Sequence, residues 1–107
     1  MPSVRVDIVQ FVDEHQPGFV ACELVDADGH RHTVVDKVPV FTHKELSCDS
    51  EYPQPGKARC EILARFQDAS GRGVARITIA RPDGLESAEG LSDFVVLASQ
   101  VADEPDC

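Results

Sequence analysis

The sequence predicts an all-β protein, folded as a small closed or partly closed antiparallel barrel of about six strands that consists of two similar three-stranded halves. Two observations lead to this fold class. A segment that begins with Gln-Pro-Gly and ends with Asp-Ala-x-Gly occurs twice in the chain. Apolar and polar residues also alternate with the two-residue period of a strand, between closely spaced turn signals. A chain of 107 residues suits one domain, which we place over residues 1–107.

The first strand is predicted over residues 4–12. Val4, Val6 and Ile8 alternate with polar residues, so we expect these three side chains to face the core. The parity of the apolar residues shifts at Val9. Because one extra residue in a strand moves all later side chains to the opposite face, this shift predicts a β-bulge near the end of the strand.

The repeated segment is expected to be one structural unit used twice, in residues 16–29 and 54–71. Proline presets φ for the second residue of a type II turn, and glycine accepts the positive φ of the third. Each Gln-Pro-Gly is therefore predicted to be a turn that holds Gly18 or Gly56 at positive φ. Each Asp-Ala-x-Gly is predicted to be a hairpin loop. If the two halves stayed apart, each would expose the edges of its sheet. Closing them into one barrel would remove these edges.

Five further strands complete the prediction, over residues 19–25, 31–40, 58–66, 74–80 and 94–101. The strand at 58–66 has the most regular alternation and is expected to be half-buried. Cys22 and Cys60 lie at matching positions, four residues after each turn glycine. We predict that both thiols pack in the core as small apolar groups.

A longer connection, residues 42–55, separates the two halves. Connections of this length often carry binding residues. Its first four residues, Thr-His-Lys-Glu, match a capping box in which Thr42 and Glu45 cap each other's backbone amides. One short helical turn is therefore predicted in this connection, before Tyr52.

The chain is acidic, with a formal net charge of −9. This charge repels phosphate backbones and anionic lipids, so neither a nucleic acid nor a membrane is an expected partner. A protein with a basic surface is the expected partner. The N-terminal residues lack an apolar signal core, which predicts a cytoplasmic protein whose four cysteines stay reduced. The sequence does not indicate an oligomeric state.

The acidic residues are concentrated after residue 82, where seven carboxylates and no Lys or Arg occur. Three of the seven are expected to belong to a solvated terminus, namely Asp103, Glu104 and Asp106. The other four lie in one loop, with no basic residue in the same segment to neutralise them. We predict a partner surface formed by this loop and the central connection, with the residues Asp83, Glu86, Glu89, Asp93, His43 and Tyr52.

Candidate chemistry is limited to a few histidines and one cysteine. His30 and His32 are predicted to share one face of a strand, where Asp28, Asp36, His15 or His43 would complete a zinc site. Cys48 lies five residues after His43 and is a candidate nucleophile. No second closely spaced ligand pair, oxyanion-hole signature or phosphate-binding glycine loop accompanies them. The sequence therefore predicts no catalytic residue, metal or cofactor, and the alternative is a small metal-binding or cysteine-dependent enzyme that uses His30, His32, His43 and Cys48.

Two short segments carry a resemblance to known proteins. They are Asp-Lys-Val-Pro-Val-Phe-Thr at residues 36–42 and Tyr-Pro-Gln-Pro-Gly at residues 52–56. With the two Gln-Pro-Gly tripeptides, they make the chain similar to a family of short bacterial proteins to which no activity is assigned. At the level of fold, a barrel of two halves resembles the small barrels of translation elongation factors, and the OB fold is the alternative topology. Neither resemblance supplies a site residue.

Taken together, these features predict a non-enzymatic protein that binds another protein. The absence of a recognisable catalytic arrangement argues against an enzyme, and the unneutralised acidic loop favours a basic protein as the partner. Small acidic bacterial proteins of one domain include immunity proteins that neutralise toxins. This is the most specific function that the sequence suggests.

Overall fold

A computed structural model of the chain describes residues 1–13 and 18–103. In order, its elements are the strands β1 (Pro2–Asp13), β2 (Phe19–Val25) and β3 (Arg31–Lys37), the helical turn α1 (Val38–Phe41), the strands β4 (Gln54–Arg59), β5 (Glu61–Gln67), β6 (Gly73–Thr78) and β7 (Asp93–Leu97), a 3-10 turn (Ala98–Gln100) and the strand β8 (Val101–Asp103). The helices within the described residues are all too short to cross a membrane.

The strands form two antiparallel sheets. In the first sheet the order is β3-β2-β1-β4, and β8 also pairs with the beginning of β1. In the second sheet the order is β5-β6-β7. The all-β class is therefore confirmed, with eight strands in the described residues where six were predicted. The same residues form no closed barrel, so closure stays a prediction.

One hydrophobic core is shared by the two sheets. It contains side chains of β1, β2, β3, α1, β4, β6 and β7 together with Leu85 from the connection between β6 and β7. Cys22 and Cys60 are both fully buried in it, which confirms the prediction for the two thiols. Burial raises the pKa of Cys22 to about 12 and that of Cys60 to about 11, with smaller contributions from the charges of Asp7 and Asp103 respectively.

The bulge predicted in β1 is confirmed. Ile8 pairs with Cys22, but the next pair joins Gln10 to Ala21, so Val9 is the extra residue. Before the bulge, the side chains of Val4, Val6 and Ile8 are buried, and after it Phe11 packs against the core. The shift in sequence parity therefore corresponds to a shift in backbone register.

The two Gln-Pro-Gly tripeptides have different structures. Gly18 has φ +87°, as the turn prediction requires, while Gln16 and Pro17 lie outside the described residues. The turn predicted for the second tripeptide is wrong. Residues 54–56 begin β4 and pair with β1, and Gly56 lies opposite Val6. A Cβ at Gly56 would lie 3.0 Å from the Ile8 side chain and 3.1 Å from the carbonyl oxygen of Phe41. This glycine therefore allows close packing and supplies no positive φ.

The half-buried strand predicted at 58–66 is interrupted and mostly exposed. Regular strand structure is interrupted at Cys60, between the end of β4 and the beginning of β5. The backbone amide of Cys60 donates to the carbonyl of Pro2. Ile62 still packs against the core, but Phe66 is 45% exposed. Within the described residues β5 pairs with β6 alone, and only its beginning, at Ile62, packs against the shared core.

The helical turn lies earlier than predicted. Val38–Phe41 forms α1, so β3 ends at Lys37 and does not continue to residue 40. Pro39 has no backbone N–H for a strand pairing but suits the first turn of a helix. The predicted capping box at 42–45 is not formed, because the Thr42 hydroxyl accepts from the amide of Lys44. Val38 and Phe41 are buried, which anchors this turn in the core.

The last predicted strand, residues 94–101, is divided by the 3-10 turn. Gln100 stabilises this interruption, because its Oε1 accepts from the amide of Leu97 at 2.8 Å and its Nε2 donates to the carbonyl of Val25 at 2.7 Å. β7 pairs with β6 before this turn and β8 pairs with β1 after it. Within the turn, the Gln100 side chain supplies hydrogen bonds to the backbone in place of a neighbouring strand. The turn also ties the end of the second sheet to β2 of the first.

Both Asp-Ala-x-Gly hairpins are confirmed. In the first hairpin loop (residues 26–30), the carboxylate atom Oδ1 of Asp26 accepts from the amides of Asp28 at 2.9 Å and His30 at 3.0 Å. The Asp26 amide donates to the carbonyl of His30, and Gly29 has φ +83°. The loop is therefore closed by backbone bonds and by a side chain that mimics a turn.

The second hairpin loop (residues 68–72) has the same bonds. Oδ1 of Asp68 accepts from the amides of Ser70 at 3.0 Å and Arg72 at 2.9 Å. The Asp68 amide donates to the carbonyl of Arg72, and Gly71 has φ +79°. The two loops thus share one backbone geometry and differ in the side chains that they display.

Candidate functional site

The acidic loop (residues 83–93) covers most of the connection from β6 to β7 and ends at Asp93, the first residue of β7. Several of its residues are anchored to the rest of the fold. The side chain of Leu85 is buried in the core, and its amide donates to the carbonyl of Ile79 at 3.0 Å. Further along, the amide of Ala88 donates to the carbonyl of Thr33 in β3 at 2.8 Å. Buried Ser87 forms an isolated bridge to Val34 in the same strand. The backbone of the loop is therefore held by both sheets.

The four acids predicted in this loop have different surroundings. Asp83 forms a bidentate pair with Arg59, one bond of which is 3.0 Å long, so a basic residue outside the acidic segment neutralises it. Within the described residues, no Lys or Arg forms an ion pair with Glu86, Glu89 or Asp93, which are all exposed. The negative charge of the loop is therefore carried by these three carboxylates.

Glu89 faces a buried imidazole. Its Oε2 lies 3.7 Å from Nδ1 of His32, which is 9% exposed. On the other side of the ring, Nε2 of His32 lies 2.8 Å from Oδ2 of Asp26. The ring also packs against Phe94, with 4.7 Å between the ring centroids. His32 is thus fixed between two carboxylates and an aromatic ring.

The protonation of His32 follows from its two neighbours. Burial raises the pKa of Asp26, but hydrogen bonds from the His32 side chain and from the amides of His30 and Asp28, together with the charge of His30, lower it overall. Asp26 is therefore an acceptor at neutral pH, and a neutral His32 must carry its proton on Nε2. Its Nδ1 is then an unprotonated acceptor that faces the Glu89 carboxylate, and this buried atom has no hydrogen-bond partner.

The two histidines do not share one strand face as predicted. His30 precedes β3 at the end of the first hairpin loop, where its side chain is 75% exposed. Both imidazoles nevertheless approach one carboxylate, because Nδ1 of His30 lies 3.6 Å from Oδ2 of Asp26. One ligand atom each from Asp26, Asp28 and His30 fit within 4.8 Å of one another. Asp36 does not belong to this group, and His15 lies outside the described residues.

The central connection forms a cleft on another part of the molecule. This cleft has a volume of ≈ 550 Å³, and its lining includes Phe11, Val38, His43 and Cys48. Cys48 is exposed and forms no disulfide. Tyr52 lines a separate cleft of ≈ 310 Å³ beside β1 and β2, and its hydroxyl donates to the carbonyl of Ser47. His43 and Tyr52 therefore lie in two different clefts, and the predicted partner residues do not form one group.

From the sequence, Asp26 and Glu89 were not identified as the carboxylates that face the His32 ring. Asp26 could have been identified, because a hairpin loop that closes at residue 30 brings the side chains at both of its ends together. Glu89 gives no such signal, since it lies 57 positions after His32 and meets it only through the bridge between the acidic loop and β3.

Comparison with known proteins identified no relative of this chain. No protein-family model matches the chain, and neither a curated protein nor a solved structure is similar to it.

Proposed function

We propose that this chain is a non-enzymatic cytoplasmic protein that binds a basic partner protein through its acidic loop. The observation that carries this proposal is a backbone anchored to both sheets that displays exposed carboxylates, which form no ion pair with a Lys or Arg of the described residues. The loop is anchored by Leu85 and by the bridge from Ser87 to β3, while Glu86, Glu89 and Asp93 remain exposed. Charges in fixed positions bind at a lower entropic cost than charges on a flexible tail.

The loop also displays one apolar side chain among its acids. Leu91 is 45% exposed, and its backbone amide donates to the hydroxyl oxygen of Ser87 at 3.2 Å. An apolar group surrounded by charges is typical of the centre of a protein interface with a polar rim. Carboxylates around Leu91 would steer a basic partner, and the leucine would be buried on contact.

A toxin-neutralising immunity protein is the most specific form of this proposal. Such a protein must recognise its partner quickly, and long-range attraction between an acidic loop and a basic surface raises the association rate. The same hypothesis makes the partner a protein, with no role for a nucleic acid or membrane. Cys22 and Cys60 are buried as thiols, which is compatible with a reducing compartment.

We also infer that the two sheets approach a partly closed barrel, like the small barrels of elongation factors. Two backbone hydrogen bonds support closure, one from the first hairpin loop to β7 and one from the acidic loop to β3. The amide of Ala27 donates to the carbonyl of Val95 in β7, and the amide of Ala88 donates to the carbonyl of Thr33, both at 2.8 Å. A closed side at this position would explain why the acidic loop is rigid.

The proposal is tested by association kinetics with a purified partner. Replacing Glu86 and Glu89 with Gln and Asp93 with Asn should lower the association rate at least about tenfold at low ionic strength. The difference should shrink in about 1 M salt, where the Debye length is only about 3 Å. Stopped-flow fluorescence or surface plasmon resonance would measure both rates.

The matched control removes three exposed acids from the central connection. Glu45→Gln, Asp49→Asn and Glu51→Gln change the net charge by the same amount. Equal losses in the two triple variants would show that only net charge matters. A loss in the control alone would assign binding to the central connection, and either result would overturn the acidic loop as the binding surface.

A further inference from the structure

The ring of His32 is held between two carboxylates from different loops. Its Nε2 lies 2.8 Å from Oδ2 of Asp26 in the first hairpin loop, and its Nδ1 lies 3.7 Å from Oε2 of Glu89 in the acidic loop. In residues 1–13 and 18–103, Nδ1 of His32 is the only buried side-chain nitrogen or oxygen without a hydrogen-bond partner. Buried polar atoms of native proteins nearly always have such a partner. An unsatisfied atom that faces a carboxylate therefore needs an explanation.

Neither neutral form of the ring satisfies both carboxylates. With the proton on Nε2, the ring donates to Asp26, and the lone pair of Nδ1 faces an oxygen of Glu89. With the proton on Nδ1, the ring donates to Glu89, but the lone pair of Nε2 then meets Asp26 at the shorter distance of 2.8 Å. Only the imidazolium has an N–H on both nitrogens and donates in both directions. The hydrogen bonds of the ring are therefore complete only when the ring is protonated.

The other groups near the ring leave its charge to be balanced by these two carboxylates. Phe94 of β7, which packs against the ring, carries no charge. Cys22 lies on the same face of the neighbouring strand β2, and its thiol stays neutral because burial raises its pKa to about 12. Asp28 and His30 lie on the exposed side of Asp26, within the first hairpin loop. No ion is assigned to this exposed group.

His32 also lies where the acidic loop joins the first sheet. The residue after it, Thr33, accepts the backbone bond from the amide of Ala88, the residue before Glu89. We propose that His32 is a proton-dependent link between the first hairpin loop and the acidic loop. Protonated His32 donates to Asp26 and Glu89 and holds the Glu89 carboxylate against β3. Neutral His32 keeps the bond to Asp26 and releases Glu89.

The pH range of the link follows from ordinary histidine chemistry. Imidazoles change charge between about pH 5 and pH 8, whereas carboxylates ordinarily stay ionised in this range. The bond from Nδ1 to Glu89 requires the second proton, so its stabilisation is present at about pH 5.5 and is lost as the pH rises towards about 8. The bond to Asp26 persists at both pH values, because the neutral ring keeps its proton on Nε2. Acid should therefore strengthen only the contact with the acidic loop.

The link would regulate the acidic loop, a consequence that rests on the proposed binding function of this loop. At the lower pH, the Glu89 carboxylate is balanced by an imidazolium and held against the fold. The loop then presents fewer free charges to a basic partner, so binding should be weaker than at the higher pH. The link itself requires no partner and is tested on the free protein.

The first experiment determines which nitrogens of His32 carry protons. Two-bond ¹H–¹⁵N spectra of the free protein at about pH 5.5 and about pH 8 distinguish the two tautomers from the imidazolium. We expect protons on both nitrogens at the lower pH and on Nε2 alone at the higher pH. A proton on Nδ1 alone at the higher pH would overturn the proposal, and so would a ring that is still neutral at the lower pH.

The second experiment measures the link through the unfolding equilibrium. Glu89→Gln removes the charge that pairs with the imidazolium and adds an amide N–H that can donate to Nδ1 of a neutral ring. At the lower pH, this variant should raise the unfolding constant about 1.5- to 5-fold, the range of an exposed ion pair. At the higher pH, it should leave the constant unchanged or lower it. Urea denaturation at the two pH values measures both constants.

Glu86→Gln is the matched control, because it removes the same charge from an exposed side chain of the same loop. Its effect on the unfolding constant should be the same at both pH values, since the carboxylate that contacts His32 is that of Glu89. Equal pH dependence in the two variants would mean that only net charge matters and would overturn the link. An effect of Glu89→Gln that does not change with pH would overturn it as well.

The third experiment separates the link from the proposed function. The probe is a fluorescent oligolysine peptide, whose ammonium groups stay charged at both pH values. Acid should weaken its binding to the native chain about 1.5- to 5-fold more than its binding to Glu89→Gln, which has no carboxylate for His32 to hold. Equal weakening would show that the link does not regulate binding. If the triple variant of the acidic loop binds the peptide as tightly as the native chain, the proposed binding surface is wrong, while the spectra and unfolding constants still decide the link.

Discussion

The strands β2 and β5 lead into equivalent hairpin loops but have opposite environments. Counted back from the hairpin aspartates, Leu24 and Phe66 hold the same position, yet Leu24 is fully buried and Phe66 is 45% exposed. β2 lies between β1 and β3, whereas β5 is an edge strand. The comparison teaches that local signals in this chain determine the turns, while the neighbouring strands decide which side chains become core.

The largest expected difference between the two strands concerns these paired positions. Leu24→Ala should lower the free energy of unfolding by about 2 to 5 kcal/mol, because it leaves a cavity in the shared core. Phe66→Ala should lower it by less than about 1 kcal/mol, because the ring is already half in solvent. Urea denaturation of the two variants measures both values. Similar losses would mean that β5 is covered in solution and that the comparison fails.

The glycines of the two Gln-Pro-Gly tripeptides are expected to give effects of intermediate size. Gly56→Ala should destabilise the protein by about 1 to 3 kcal/mol, since the added Cβ would meet Ile8 and the backbone of Phe41. Gly18→Ala should cost about 1 kcal/mol because Gly18 has φ +87°. Asn tolerates positive φ better than Ala, so Gly18→Asn should recover part of the loss, whereas Gly56→Asn should be worse than Gly56→Ala. The same response at both glycines would indicate a shared conformation.

The smallest expected effects concern how the stability of the fold depends on pH through the aspartates of the two hairpin loops. The pKa of Asp26 is lowered overall despite burial, and that of Asp68 is lowered by the backbone and side-chain bonds of Arg72. Both carboxylates thus contribute stability that is present above their unfolded pKa of about 4 and is lost as pH falls through the lower folded value.

The measurement compares the native chain with Asp26→Asn and Asp68→Asn between about pH 5 and pH 2. Each variant should lose less stability than the native chain over this range, because it lacks one of the carboxylates. We expect the larger change for Asp26→Asn, since Asp26 also bonds the buried ring of His32, whereas Asp68 is more open to solvent screening. Acid profiles identical to that of the native chain would show that these bonds do not stabilise the fold.

Features that depend on near neighbours in the sequence could be predicted, and those that depend on distant contacts could not. The bulge at Val9 and the two Asp-Ala-x-Gly hairpins arise from signals within a few residues, and both predictions are confirmed. The role of Gly56 depends on Ile8 and Phe41, which the sequence places elsewhere. The alternation in residues 58–66 correctly indicates extended chain, but alternation does not reveal whether another element covers the strand.

The candidate sites follow the same rule. The acidic loop was recognised from composition, because a run of carboxylates without basic residues is visible in the sequence. The pairing of Asp83 with Arg59 could not be recognised from the sequence, since the two residues are 24 positions apart. The approach of Glu89 to His32 likewise requires the bridge between the loop and β3. Sequence alone therefore supplied the charged groups and not their partners.

The exposed edge of β5 has a consequence for self-association. A strand that pairs on one side only offers backbone donors and acceptors to other copies of the chain, and the exposed side chains of Leu63 and Phe66 would favour stacking. Two features oppose this outcome. The register shift between Ile62 and Ala64 interrupts the regular spacing of the edge, and the charge of Arg65 must lose water in any edge-to-edge contact. An irregularity in the backbone and one arginine therefore oppose edge-to-edge association of a strand that has no fully buried side chain.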